Sequence, residues 1–184
     1  MLRILLITVI ITIFLTPLTS NAGYGSCGVF GGYHQPVIVP ESREGYTFGF
    51  KIRLKLAYAF FLEPYYLQNQ EKDREVITTG GIKTYDGTFT SSAGVNIVVG
   101  TYLNNLVRPY AIVGIGIFKT KDYVEGAESS QLGSNWGGGL EYSLVWKKLY
   151  IDLGATLQVI ECDDGGMRKN MNFTTGLNWY FKLK

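Results

Sequence analysis

Residues 170–181 read NMNFTTGLNWYF. Taken with a period of two, Met171, Phe173, Thr175, Leu177, Trp179 and Phe181 share one face, and Asn170, Asn172, Thr174, Gly176, Asn178 and Tyr180 the other. That is a β-strand with an apolar side and a polar side. About ten to twelve residues at roughly 3.3 Å each, tilted about 45°, give an apolar band of about 25 Å, the height of a membrane-spanning barrel wall. Trp179 and Phe181 then stand at its rim, with Lys182, Leu183 and Lys184 following.

Seven further runs alternate in the same way. Tyr24 to His34 is glycine-rich and the least regular. Tyr46 to Lys55 is the cleanest, with Tyr46, Phe48, Phe50, Ile52 and Leu54 set against Thr47, Gly49, Lys51, Arg53 and Lys55. Phe60 to Gln68 sets Phe60, Leu62, Pro64 and Tyr66 against Glu63. Because proline donates no ladder hydrogen bond, a bulge or a missing bond is expected at Pro64. Thr88 to Val99, Val107 to Lys119, Ser134 to Leu144 and Leu149 to Ile160 complete the set of eight. Short connections are expected near Ala57, Asn104-Asn105 and Trp146. Gln35 to Gly45, Asn69 to Gly87, Thr120 to Gly133 and Glu161 to Lys169 read as long polar loops. Short turns at one end and long loops at the other describe an up-and-down transmembrane β-barrel. The fold class is therefore all-β, an eight-stranded antiparallel barrel.

Residues 1–22 stand apart. Arg3 is a short basic start, Leu5 to Leu15 an apolar core, and Ser20-Asn21-Ala22 a small-x-small cleavage site, so this segment reads as a removed signal peptide and 23–184 as the barrel domain. The core falls short of the roughly 20 residues of a spanning helix. Cys27 follows soon after, but Tyr24-Gly25-Ser26 lacks the aliphatic residue a lipoprotein site places three before its cysteine. Cys162 is the only other cysteine, and two cysteines make no disulfide framework in an exported chain. On this strand order Cys27 and Cys162 lie at opposite ends of the barrel.

The net charge of +2 offers no basic stripe, so no nucleic-acid partner is expected. Cys162-Asp163-Asp164 has no histidine or second cysteine nearby, and the strand glycines open no helix. No metal, phosphate or other cofactor site is expected.

Periodicity alone does not say which face looks inward. The polar face decides it, for it repeats glycine at Gly49, Gly94, Gly114, Gly116, Gly137, Gly139, Gly154 and Gly176. Glycine covers nothing on a wet surface and costs backbone entropy, whereas in a narrow lumen it leaves room for larger neighbours. The same assignment turns Lys51, Arg53, Glu63, Glu141 and Asp152 inward, where they can pair as a lumen charge network. Facing lipid they would each be penalised by up to about 2 to 4 kcal/mol. Lys55 is expected to be wet at the barrel end.

With eight strands placed, Arg108-Pro109-Tyr110 followed by Gly114-x-Gly116, then Gly137-Gly138-Gly139-Leu140-Glu141-Tyr142, then Gly176-Leu177-Asn178-Trp179-Tyr180-Phe181, resemble the small eight-stranded bacterial outer-membrane β-barrels typified by OmpA-like and OmpX-like proteins. The resemblance implies an integral outer-membrane protein in contact with outer-membrane lipid. It implies that Gly176, Leu177, Trp179, Tyr180 and Phe181 form a closing-strand signal for the barrel-assembly machinery, with Lys182 to Lys184 departing from the pattern. It implies no single activity.

Three functions fit such a barrel. The first is a non-enzymatic structural or surface-interaction role, with a surface or host ligand met by the long loops. In the longest of these, Glu71 to Ile77 mixes charges of both signs and reads as a solvated loop. The second is a lipid-modifying enzyme, which would use a histidine with a serine and an acid. The single histidine, His34, sits between Tyr33 and Gln35 and reads as a surface loop residue, with no catalytic residue assigned. The third is a soluble lipocalin-like periplasmic binder, opposed by the glycine lumen.

Overall fold

The computed structural model describes residues 23–37, 44–57, 59–78, 81–85, 87–100, 106–121, 128–145, 148–162 and 166–182. The expected signal segment, and the turns at Asn104-Asn105 and Trp146, lie outside them. The strands are β1 (Tyr24–Pro36), β2 (Gly45–Ala57), β3 (Phe60–Glu71), β4 (Arg74–Thr78), β5 (Gly81–Tyr85), β6 (Phe89–Gly100), β7 (Val107–Lys121), β8 (Glu128–Val145), β9 (Leu149–Glu161) and β10 (Met167–Lys182). Eight of them close a barrel in the order β1-β10-β9-β8-β7-β6-β3-β2. Every neighbouring pair is antiparallel, and β1 and β10 seal it from Tyr24↔Lys182 to Pro36↔Asn170.

The pleat sorts the side chains as the alternation demands. Outward residues are apolar and open, as at Phe48, Ile115, Leu153 and Trp179, each about half exposed. Inward residues are polar and buried, among them Arg53, Glu63, Asn96, Asn135, Glu141, Asp152, Asn172 and Asn178. This inversion of the soluble-protein pattern is what lipid as a solvent imposes. In the bilayer a sheet satisfies its own backbone only when it is closed, and the wall must be greasy outside.

Two of the long loops are shorter than the sequence suggests. β8 begins at Glu128 and not at Ser134, pairing Lys121↔Glu128, and β10 begins at Met167, pairing with Glu161. Polar residues such as Ser129, Ser130 and Gln131 break the apolar alternation without breaking the ladder, because pairing continues beyond the greasy band. The loop from Asn69 to Gly87 also needs correction. β3 runs on to Glu71, and β4 and β5 form a separate two-stranded sheet with Ile77↔Ile82 at its tip end. Val76-Ile77-Thr78 and the run from Ile82 to Tyr85 are rich in strand-forming residue types, a signal masked by the interspersed charges.

At Pro64 the expected gap is on the β2 side. Pairing runs down to Lys51↔Tyr65 and resumes in the same register at Leu54↔Leu62, while the β6 side stays continuous through Pro64↔Val95. The bulge in this ladder lies elsewhere, between Lys55 and Ala57 at the short turn.

Candidate functional site: the charged lumen

In the barrel order β2 and β8 are diametrically opposed, four strands apart in either direction. Arg53 on β2 spans that diameter. Its Nη1 donates to Glu141 Oε1 on β8 at 2.6 Å, its Nε donates to Glu63 Oε2 on the adjacent β3 at 2.5 Å, and its Nη2 stands 3.6 Å from Asp152 Oδ2 on β9. Lys51, one inward rung away on β2, donates to Asp152 Oδ2. The five charges expected in the lumen thus lie in one cluster.

Other members were not assigned to the charge network from the sequence. Arg108 Nη1 is 2.9 Å from Glu141 Oε2, in contact as an ion pair but outside hydrogen-bond geometry, and its guanidinium stacks 4.7 Å from the Tyr180 ring centre and 5.0 Å from that of Tyr150. Tyr180 donates to Glu141 at 2.9 Å, and Tyr110 to Asp152 Oδ1 at 2.6 Å. Asn178 Nδ2 bridges Glu141 Oε1 at 2.5 Å and Asp152 Oδ2 at 2.9 Å, and Asn96 donates to Glu63 Oε1 at 2.9 Å. Three cationic groups, Lys51, Arg53 and Arg108, therefore meet three carboxylates, Glu63, Glu141 and Asp152. Balanced charge and extra donors are the conditions under which a buried ionic cluster offsets its desolvation.

The glycines make the space. A Cβ on Gly139 would lie 2.6 Å from the Tyr110 hydroxyl and one on Gly154 3.0 Å from it, while a Cβ on Gly116 would lie 2.3 Å from the Tyr65 hydroxyl. The two rings lie over neighbouring strands of the wall because those strands carry no side chains there. Beside them is a cavity of about 50 Å³ lined by Lys51, Arg53, Tyr110, Asn135, Gln158 and Asn172. At roughly 10 to 15 Å³ per water, that holds a few molecules and no solute stream.

Further toward the outer end lies a second polar layer. Asn69 Nδ2 donates to Gln158 Oε1 at 3.1 Å, and Asn135 Nδ2 to the Tyr65 hydroxyl at 2.7 Å. His34 belongs here, which corrects its reading as a surface loop residue. It is 1 % exposed, with Nδ1 2.7 Å from Asn172 Oδ1 and Nε2 4.0 Å from Glu71 Oε1. Pairing across the β1/β10 seam, His34↔Asn172, buries it. That seam joins residues 138 positions apart, so no local pattern could reveal it. Lys55 is partly buried, its Nζ 5.8 Å from the Tyr24 ring centre at the opposite end.

Of the closing-strand residues, Leu177, Trp179 and Phe181 face outward, while Gly176 and Tyr180 face the lumen, Tyr180 as a ligand of Glu141. Both cysteines are free; Cys27 is paired with Trp179 on the outer wall, and Cys162 follows β9. Among the described residues no three His, Cys, Asp or Glu side chains are grouped to hold a metal ion.

A model of the family described as outer membrane protein beta-barrel domain matches residues 15–181. No curated protein sequence matches the chain. Among solved structures, Neisserial surface protein A is similar with a TM-score of 0.64 at 12% identity, covering 88% of this chain and 100% of that one. The N-terminal β-barrel domain of Pseudomonas aeruginosa OprF gives 0.59 at 13% identity, covering 86% and 97%. A major outer membrane protein from Thermus thermophilus gives 0.50 at 14% identity, covering 88% and 100%. At these identities the likeness is one of fold.

Proposed function

The chain belongs to the outer membrane protein beta-barrel domain family and is an integral β-barrel of the cell outer membrane, and from that premise we propose that it is a non-enzymatic barrel with a blocked lumen, acting at the cell surface through its extracellular segments. The observation that carries the proposal is Arg53 reaching across the barrel diameter to Glu141, beside a cavity of about 50 Å³. Eight strands leave an interior just wide enough for side chains, and a balanced ionic cluster fills it with groups that are costly to separate. General diffusion through such an interior is not its work.

The working surface is then outside. The β4/β5 sheet extends the connection between β3 and β6 and stands apart from the barrel strands as a sheet of its own, so it is the natural place to meet a surface or host ligand. Deleting residues 72–87 and rejoining Glu71 to Thr88, already hydrogen-bonded through their backbones at 3.0 Å, should preserve the barrel and abolish binding to host cells or matrix. Unchanged adhesion by the deleted protein, displayed at equal level, would reject a surface role for this segment.

An enzymatic reading has a histidine beside a carboxylate in its favour. Against it, the two ring nitrogens of His34 face Asn172 and Glu71, so neither is aimed at a nucleophile. A change in lipid A mass that depends on the protein and disappears in His34→Ala would support the enzyme instead. The expectations that the closing strand is read by the assembly machinery and that nucleic acid is not a partner stand on the family premise and on the charge distribution.

A further inference from the structure

The two ends of the barrel differ in charge. At the outer end acids and bases mingle, with Glu44, Asp73, Glu128 and Glu161 among Lys72, Lys121, Arg168 and Lys169. The strand ends and short connections opposite, residues 23–27, 54–62, 98–107, 142–151 and 178–182, carry Lys55, Lys147, Lys148 and Lys182 and neither aspartate nor glutamate. In an outer-membrane barrel the end with short connections faces the periplasm.

Three of these lysines stand at lumen-facing positions. Tyr24 continues the inward row of Ser26 and pairs with Lys182, while Lys55 continues the inward row of Lys51 and Arg53. Both ammonium groups approach one ring, Lys55 Nζ at 5.8 Å and Lys182 Nζ at 5.9 Å from the centre of Tyr24. On the other flank of β10 the Lys148 carbonyl accepts from the Tyr180 amide at 2.7 Å, one rung beyond Trp179↔Leu149. That sets Lys148, an exposed residue, level with inward Tyr180. The outward residues at this end are apolar, as at Trp179, Phe181, Leu144 and Phe60. Beneath the lysines Phe61, Tyr150 and Tyr180, each at most 4 % exposed, surround the Arg108 guanidinium and close the lumen.

We propose that this crescent docks an extended, carboxylate-rich segment of a periplasmic protein, laid across the mouth of the barrel. The inference rests on the orientation in the membrane and is independent of the role of the outer segments. β9, β10, β1 and β2 are successive neighbours, so the lysines span three strand intervals, about 14 Å at roughly 4.8 Å each. An extended chain repeats its side chains on one face about every 6.6 Å, so carboxylates at alternate residues i, i+2 and i+4 cover that distance. Bilayer headgroups surround the outward face, which is apolar here, whereas the lysines overhang the mouth and meet what arrives along the barrel axis. The closed floor makes the segment a surface guest and not a threaded strand. Charges of one sign at this mouth draw carboxylates toward it from solution.

The test is peptide binding. The whole protein in zwitterionic nanodiscs, which leave both ends accessible, is titrated into a fluorescein-tagged heptapeptide alternating glutamate with threonine, and anisotropy is read. Wild type should bind it, ignore the analogue with glutamine in place of glutamate, and release it at about 1 M salt, where the screening length falls to about 3 Å. The double variant Lys148→Gln/Lys182→Gln, with its heat-modifiability intact, should bind about fivefold more weakly and with a shallower salt dependence. Lys121→Gln at the outer end should leave the affinity unchanged. No binding by wild type, equal binding of the glutamine analogue, or a loss that follows Lys121 would overturn the proposal. So would a double variant that binds the peptide as wild type does but no longer retains phosphatidylglycerol from doped discs, since the lysines would then serve the inner leaflet.

Discussion

Glu141 and Asp152 are direct cross-strand partners in the β8/β9 ladder, two inward carboxylates side by side in a lumen that excludes bulk water. Like charges placed so would push the strands apart. Arg53, arriving from the opposite wall, binds Glu141 at 2.6 Å and approaches Asp152 at 3.6 Å, and Asn178 donates to both. The pair is held by its counter-ions, so substitutions here act on the whole cluster.

Glu141→Ala should lower thermal stability in detergent micelles by an amount on the order of 3 to 5 kcal/mol, because it leaves Arg53 and Arg108 short of a partner in a buried site. Glu128→Ala is the control. Glu128 begins β8 in an exposed contact with Lys121 at 3.5 Å, and its loss should cost less than about 1 kcal/mol. Membrane insertion should survive in both. Equal melting midpoints for the two variants would mean that water screens the cluster.

In planar bilayers the wild type should show no steady large-conductance channel. Glu141→Ala should add small flickering openings, since the strut across the diameter loses its anchor while the wall stays closed. Large stable channels from the wild-type protein would dispose of the blocked lumen.

The glycines that seat Tyr110 are predicted to resist substitution. Gly139→Ala would put a methyl 2.2 Å from the Leu153 carbonyl and 2.6 Å from the Tyr110 hydroxyl, so the ring must leave and its bond to Asp152 must break. A loss of about 1 to 3 kcal/mol is expected, read as an earlier melt on a heat-modifiability gel. Tyr110→Phe with wild-type stability would show that the hydroxyl bond contributes little.

Lys72 Nζ donates to Glu44 Oε1 at 2.6 Å, both side chains about half exposed, and this pair sets a pH dependence. The hydrogen bond from Lys72, then that from Tyr33, holds the Glu44 carboxyl below its ordinary range, and the same bond to Glu44 raises Lys72. A depressed carboxylate contributes above its unfolded value and loses that contribution as pH falls through the folded one. A raised amine contributes below its unfolded value and loses it as pH rises through the folded one. The contact should thus be whole from just above the ordinary carboxylate range to just below the ordinary lysine range. Carboxyl NMR of Glu44 should show a titration on the acid side of other exposed glutamates that moves back toward the ordinary range in Lys72→Ala, with the Tyr33 bond holding part of the shift. An unshifted Glu44 would mean that the contact with Lys72 is not made in solution.

No intramolecular disulfide is expected by mass mapping. Cys27 is level with Trp179, which pairs with Leu149, whereas Cys162 lies beyond the far end of β9. Thirteen residues at about 3.3 Å separate the two by roughly 40 Å along the strand, against the 7 Å or so a bridge tolerates.

The strands and their facing were legible in the sequence because both depend only on a residue's parity along its own strand. The inward placement of Lys51, Arg53, Glu63, Glu141 and Asp152 follows from that parity and the glycine repeat. Arg108, Tyr110 and Tyr180 share the parity, yet their part in the cluster did not follow, because parity says nothing of depth. Which residues meet is set by how far each strand is sheared against the next, a property of the closed sheet. His34 escaped for the same reason. The β4/β5 sheet was hidden differently, by charges that made a strand-rich stretch look like solvated loop.

Arg53 also divides the cluster in time. Glu63 is on the neighbouring strand, 10 residues away, so that half of its grip is available as soon as β2 and β3 pair. Glu141 is 88 residues away on the opposite wall and comes within reach only when the sheet has curled and β10 has met β1. Until then the guanidinium is a half-made clasp. An open, half-assembled sheet and a sealed barrel are told apart inside the molecule by whether one arginine has found its second carboxylate, which makes the interior a latch that sets only once the wall is shut.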